Sequence, residues 1–153
     1  MKFQKIGNNE KFEVSNYIKK YIELNKEHEI KIYLGCDSHS KQYTTNYVTT
    51  IVFHIGDTGC HVIYTKEKVE KIPDDDYWKR LWGETERSVK VAVYLRTHGI
   101  EINTIGLDFN SDPKRKSNKL VKASIGYVES FGFKARIKPD ILPAISAADG
   151  LAR

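Results

Sequence analysis

The chain has 153 residues, enough for one domain with a substantial core, and its 40% hydrophobic and 29% charged residues are typical of globular proteins. Its formal charge of +5 permits an anionic partner but does not require one. Two cysteines, no apolar run of membrane-spanning length and no signal-type N-terminus argue against a disulfide-rich, membrane-bound or secreted protein. We therefore expect a single cytoplasmic domain over residues 1–153, with no membrane partner.

The first half of the chain predicts one helix and three strands. Residues 1–9 look irregular, and the apolar positions from Phe12 to Lys26 recur on one face of a helix. The polar residues 38–46 predict a turn, and Gly56-Asp57-Thr58-Gly59 predicts a hairpin connection. Three stretches rich in β-branched and aromatic residues predict strands, at 30–36, 47–55 and 60–65.

The second half alternates helices with strands. Pro73-Asp74-Asp75-Asp76 predicts a helix start, and the helix itself is expected from about Tyr77 to Thr97, before His98-Gly99. The order is a helix followed by β-β-β-α-β-α-β-α, which predicts an α/β fold with a five-stranded mixed sheet and an extra N-terminal helix. The remaining predicted elements are a strand over 102–108, a helix over about 113–131, a strand over 133–138 and a final helix from Pro143.

Two predicted strands end on an acid, Asp37 after the first and Asp108 at the end of the fourth. A turn-capping aspartate would explain either one alone. If the strands are parallel neighbours, however, both acids lie at the carboxyl edge of the sheet, where α/β proteins bind ligands. Adjacent carboxylates repel each other, and a divalent cation is the usual compensation.

The long helix contains two glutamates that could join these acids. Glu86 lies on the polar flank of the helix, where a solvated side chain is expected. Glu84 lies at the rim of the apolar face, which is the less ordinary place for an acid. We favour Glu84, and we interpret Trp78 and Trp82 as core residues.

The last segment offers a further pair of acids. Asp149 is surrounded by small residues that would let the final helix approach the sheet closely. Asp140, before Pro143, is also explained as a turn residue or helix cap, and it remains the alternative.

Basic residues follow the Asp108 strand. They could form a solvated face, but next to the acids they would also suit contacts with phosphate groups. The chain has no Gly-x-Ser-x-Gly elbow, no phosphate-binding Gly-x-x-x-x-Gly-Lys loop and no CxxC pair, which argues against the corresponding hydrolases, triphosphatases and zinc sites. The candidate nucleic-acid-binding residues are Lys114, Arg115, Lys116, Lys119 and Lys138.

The element order and the acid motifs resemble the ribonuclease H-like superfamily. Two further segments, Lys116-Ser117-Asn118 and Ile137-Lys138-Pro139-Asp140, with the stretch 126–133, are similar to the YkuK-like group of predicted nucleases, which includes phage-borne members. The resemblance covers about residues 30–153. The acid motifs are Gly35-Cys36-Asp37-Ser38, Leu81-Trp82-Gly83-Glu84-Thr85, Gly106-Leu107-Asp108 and Asp149-Gly150-Leu151-Ala152-Arg153.

This resemblance implies two-metal hydrolysis of a phosphodiester in DNA, RNA or their hybrid. Asp37 would bridge two Mg²⁺ or Mn²⁺ ions about 4 Å apart. Glu84 and Asp108 would complete the shell of one ion, and Asp149 that of the other. The alternatives are a non-catalytic nucleic-acid-binding module with the same fold and a phosphohydrolase acting on small esters.

Overall fold

The computed structural model describes residues 1–57, 59–71, 77–140 and 142–153. The predicted helix start at 73–76 and residue 58 of the hairpin connection lie outside them. None of the described helices is both long and apolar enough to cross a bilayer. The strands are β1 (Lys2–Lys5), β2 (Lys11–Glu13), β3 (Ile30–Ser40), β4 (Thr44–Ile55), β5 (Gly59–Glu70), β6 (Thr104–Asn110) and β7 (Ala135–Lys138). The α-helices are α1 (Val14–Leu24), α2 (Tyr77–Thr97), α3 (Val121–Ser130) and α4 (Pro143–Ala152), and a 3₁₀ helix spans Lys116–Leu120.

Within the described residues, the seven strands form one mixed sheet in the order β2-β1-β5-β4-β3-β6-β7. β3, β4 and β5 are an antiparallel meander, whereas β6 is parallel to β3 and β7 is parallel to β6. The predicted α/β fold and mixed sheet are confirmed. The five-strand count is wrong, because β1 and β2 extend the sheet beyond β5. The first helix is not an addition in front of the sheet either, since it follows those two strands.

The hairpin of β3 and β4 is longer than predicted. Most of the polar stretch 38–46 is paired strand, and the register continues to Ser40 opposite Thr45. These two hydroxyls are hydrogen-bonded at 2.8 Å, and β-branched threonines favour extended backbone. β5 similarly continues to Glu70, because its charged end pairs with the start of β4.

The predicted helix over 113–131 is divided into the 3₁₀ helix and α3. Side chains of the 3₁₀ helix are tied to the end of β6, which continues two residues beyond Asp108. The Asn118 side-chain amide donates to the backbone oxygens of Asn110 and Ser111 at 3.2 and 3.1 Å. The Ser117 hydroxyl accepts a hydrogen bond from the Asn110 backbone N–H at 3.1 Å. These bonds hold the segment against the strand end.

Helices cover both faces of the sheet. α1, α2 and α3 pack on one face and enclose the larger core, whose buried members include Ile18, Leu95 and Val128. α4 covers the opposite face, where Ala148 packs with Val48. Because side chains alternate along a strand, the odd-numbered residues of β3 face α4.

Candidate functional site

The acids of β3 and β6 lie on neighbouring parallel strands, as predicted. The two strands are in register at Gly35 and Gly106, and Asp37 and Asp108 each lie two residues further on. A step of two residues keeps a side chain on the same face of the sheet. Both acids therefore lie on the α4 face, near the carboxyl ends of their strands.

Asp37 is buried at this edge, with only 8% of its surface exposed. Its Oδ1 accepts a hydrogen bond from the Ser38 backbone N–H at 2.9 Å. Burial, which that hydrogen bond opposes, and the charges of Asp108 and Asp149 together raise the pKa of Asp37 to about 6. The acids of β3, β6 and α4 are therefore near enough for their charges to act on one another.

Glu84 reaches the same cluster from α2. It is 6% exposed, and the Ser38 hydroxyl donates to its Oε1 at 2.5 Å. Burial raises the pKa of Glu84 well above its usual value, and the charges of Asp37 and Asp108 add to the effect. Glu86 is exposed instead. The structure thus brings Glu84, and not Glu86, to the other acids.

Asp149 approaches because two glycines let α4 lie close to the sheet. A Cβ atom on Gly35 would stand 3.0 Å from Ile145 Cδ1 and 3.2 Å from the Ile145 backbone N, which is closer than side chains normally pack. At Gly106 the nearest contact would be 3.4 Å, again with Ile145. Asp140, the alternative acid, is exposed and lines a different groove, with Lys134, Ala135 and Arg136.

Besides the hydrogen bond from the Ser38 backbone to Asp37, the other three acids each have a side-chain partner, and no three Asp, Glu, His or Cys side chains among the described residues stand at the spacing of a metal site. The chemistry of the donors nevertheless fits Mg²⁺ or Mn²⁺, which prefer carboxylate oxygens. The raised pKa values of Asp37 and Glu84 mean that ionising these buried carboxyls is costly, because the chain does not fully compensate their negative charge. The partners are Lys138 for Asp108, Arg153 for Asp149 and Ser38 for Glu84.

A basic cavity of about 480 Å³ opens beside Asp108. Lys119, although predicted with this group, places its ammonium 5.6 Å from the Trp78 ring centre. Trp78 itself is partly buried and packs against the main core, as predicted, with Lys116 and Lys119 over its ring. Lys114 is exposed and does not line the cavity. The lining residues are Tyr77, Asp108, Asn110, Arg115, Lys116, Ser117 and Lys138.

The sequence pattern did not predict the roles of two residues in the site. Ser38 orients both Asp37 and Glu84, and its position directly after the strand acid is the signal that could have identified it. Tyr77 lines the cavity, and the Lys116 ammonium lies 4.6 Å from its ring centre. No periodicity distinguishes that tyrosine from other aromatic residues of the helix.

Comparison with known families gives one match. A family model described as "Ribonuclease H-like" matches residues 13–153. Its range includes α1, all four acids and the basic cavity. No curated protein and no solved structure matches the chain significantly.

Proposed function

Because the chain belongs to the ribonuclease H-like family, we propose that it is a divalent-metal-dependent nuclease that hydrolyses phosphodiester bonds in DNA, RNA or RNA/DNA hybrids. The observation that carries this proposal is the convergence of Asp37, Glu84 and Asp108 from three separate elements, with Asp149 approaching from α4. We also propose that the chain is related to the YkuK-like group of predicted nucleases, because residues 116–118 and 137–140 are similar to segments of that group.

The four acids would hold Mg²⁺ or Mn²⁺, with Asp37 at the centre of the cluster. Bound there, two such ions would supply activation of the attacking water and stabilisation of the leaving 3′ oxygen. The Ser38 hydroxyl keeps the Glu84 carboxylate directed at the cluster. Arg115 and Lys116, on the wall of the adjacent cavity, would hold backbone phosphates so that the scissile bond lies beside Asp108.

A second function, a nucleic-acid-binding module without catalysis, is favoured by one observation. Asp108 and Asp149 are engaged by Lys138 and Arg153, so two of the four acids already have a positive partner. Such a protein would bind polynucleotides through the basic cavity in a salt-dependent way and would not turn them over.

The test is a cleavage assay with the purified full chain on single-stranded and duplex DNA, single-stranded and duplex RNA, and RNA/DNA hybrid. We expect cutting of at least one substrate with Mg²⁺ or Mn²⁺, and its loss with chelator and in Asp37→Asn. The matched control is Asp140→Asn, which removes an exposed acid outside the cluster.

Crystals soaked in Mn²⁺ would locate the ions by anomalous scattering. Salt-sensitive binding with no metal-dependent cutting of any substrate would support the binding module, and turnover of small phosphate esters alone would support a phosphohydrolase.

A further inference from the structure

Lys138 lies where the pairing of β6 with β7 is irregular. Leu107 is paired with Ile137, but the next pair is Asn110 with Lys138, so β6 advances three residues while β7 advances one. Asp108 belongs to this bulged stretch. Such irregularities redirect side chains, and here the Lys138 ammonium contacts Asp108 Oδ1.

This contact places a positive charge at the edge of the acid cluster. The Lys138 side chain is 48% exposed, and it reaches Asp108 along a long, flexible stem. The ammonium therefore stands at the edge of the acid cluster, in contact with Asp108.

Lys138 also lines the basic cavity, together with Arg115 and Lys116. From one backbone position its side chain is therefore placed between two sources of negative charge, the carboxylates on one side and any polynucleotide phosphate bound in the cavity on the other. An ammonium group binds both as a point charge, without a fixed fork geometry.

We propose that Lys138 is an exchangeable counter-ion, which neutralises Asp108 while the cluster is free of metal and transfers to a substrate phosphate when a divalent cation binds. This inference rests on the proposed function. It requires metal and polynucleotide to bind cooperatively, since each ligand removes a competitor of the other, and the coupling is reciprocal.

The test measures free Mn²⁺ by electron paramagnetic resonance during titration of the full chain, with and without nuclease-resistant phosphorothioate DNA or 2′-O-methyl RNA. For the wild type we expect the oligonucleotide to tighten Mn²⁺ binding by about tenfold. Lys138→Gln should bind Mn²⁺ several-fold more tightly than the wild type without oligonucleotide, and the further tightening caused by the oligonucleotide should be several-fold smaller than in the wild type.

Two variants control for loss of charge and for misfolding. Lys134→Gln removes an exposed lysine just before β7 that lines the other groove, and it should keep the wild-type coupling. Lys138→Arg keeps the charge and should restore coupling. Full coupling in Lys138→Gln would overturn the counter-ion role while leaving the nuclease proposal intact. Failure of the wild type to bind Mn²⁺, or equal binding by Asp37→Asn, would overturn both proposals.

Discussion

The Ser38 hydroxyl donates a 2.5 Å hydrogen bond to Oε1 of Glu84 and thereby joins the strand of Asp37 to α2. α2 packs against the sheet face opposite α4, so the acids reach the cluster from both sides of the sheet. A buried carboxylate without a donor would be costly, and the serine reduces that cost. A comparison of variants at Glu84 and at the nearby Glu86 therefore tests whether Glu84 belongs to the acid cluster.

Glu84→Gln should lower metal-dependent cleavage by about 100-fold, because it removes a charged oxygen ligand while preserving the shape of the side chain. The free energy of unfolding without metal should not fall, since a neutral amide is easier to bury than a carboxylate with a raised pKa. Glu86→Gln changes an exposed side chain. It should leave the free energy of unfolding within about 0.5 kcal/mol of the wild type and the cleavage rate within about twofold. Equal loss of activity in the two variants would contradict the assignment.

The contribution of Asp37 to the stability of the metal-free protein should rise as the pH falls from 8 to about 5. The pKa of Asp37 is raised from 3.8 to about 6, so across this range the folded state takes up a proton that the unfolded state does not bind. Asp37→Asn should flatten this dependence and stabilise the protein at pH 8 by about 1–2 kcal/mol, less than the full shift would give because the site is partly solvated. Urea unfolding at several pH values, with chelator present, measures both effects.

The stability contributed by Glu13 should be lost in more acidic solution, below the range in which Asp37 titrates. Partial burial would raise the pKa of Glu13, but hydrogen bonds from the Met1 ammonium, Tyr94 and Ser15 lower it from 4.5 to about 2. A lowered pKa gives stability that is present above pH 4.5 and is lost as the pH falls toward 2. If wild type and Asp37→Asn had the same dependence of stability on pH between 5 and 8, the buried-acid account of Asp37 would be contradicted.

Gly35→Ala should destabilise the fold by about 1–3 kcal/mol and abolish cleavage, because its methyl group would push Ile145 and the helix that carries Asp149 away from the sheet. Gly126→Ala is the matched control. It adds the same methyl group within α3, where no atom lies within 4 Å, and should stabilise the protein by about 0.5–1 kcal/mol. Denaturant unfolding and the cleavage assay on both variants check this contrast. If Gly35→Ala matched the wild type in both stability and cleavage, α4 would not need its close approach to the sheet.

Arg115→Ala should weaken polynucleotide binding and lower the slope of log affinity against log salt by roughly 0.7–0.9, the value for one lost phosphate contact. Lys20→Ala removes the same charge from an exposed position on α1, outside the basic cavity, and should leave the slope unchanged. Fluorescence anisotropy at several salt concentrations measures both slopes. Equal slopes in the two variants would mean that the cavity does not hold the phosphate backbone.

The sequence predicted the elements whose pattern is long and apolar. The helix expected from about Tyr77 to Thr97 has those bounds, and the strands that carry Asp37 and Asp108 are parallel neighbours, which is the condition under which the two acids were expected to meet. β1 and β2 were missed because strands of four and three residues are too short for periodicity to appear, although Phe3 within them is 1% exposed.

Pairings between distant side chains were beyond any local pattern. The contact of Lys138 with Asp108 depends on the bulge between β6 and β7. Neither strand's sequence pattern predicts that bulge. The division of the helix predicted over 113–131 likewise depends on hydrogen bonds from Ser117 and Asn118 to the end of β6. Tertiary contacts of this kind decide the final boundaries of marginal elements.

The close approach at Gly35 also links positions that are 110 residues apart in the sequence. During evolution, a larger residue at position 35 would require a smaller side chain at position 145 together with a shift of the α4 backbone, because the Ile145 backbone N is also close. Asp149 lies one turn beyond Ile145 on the same side of α4, so such paired changes would shift a ligand of the cluster as well. Covariation of these two positions among relatives would therefore indicate that selection maintains the distance between the last helix and the sheet.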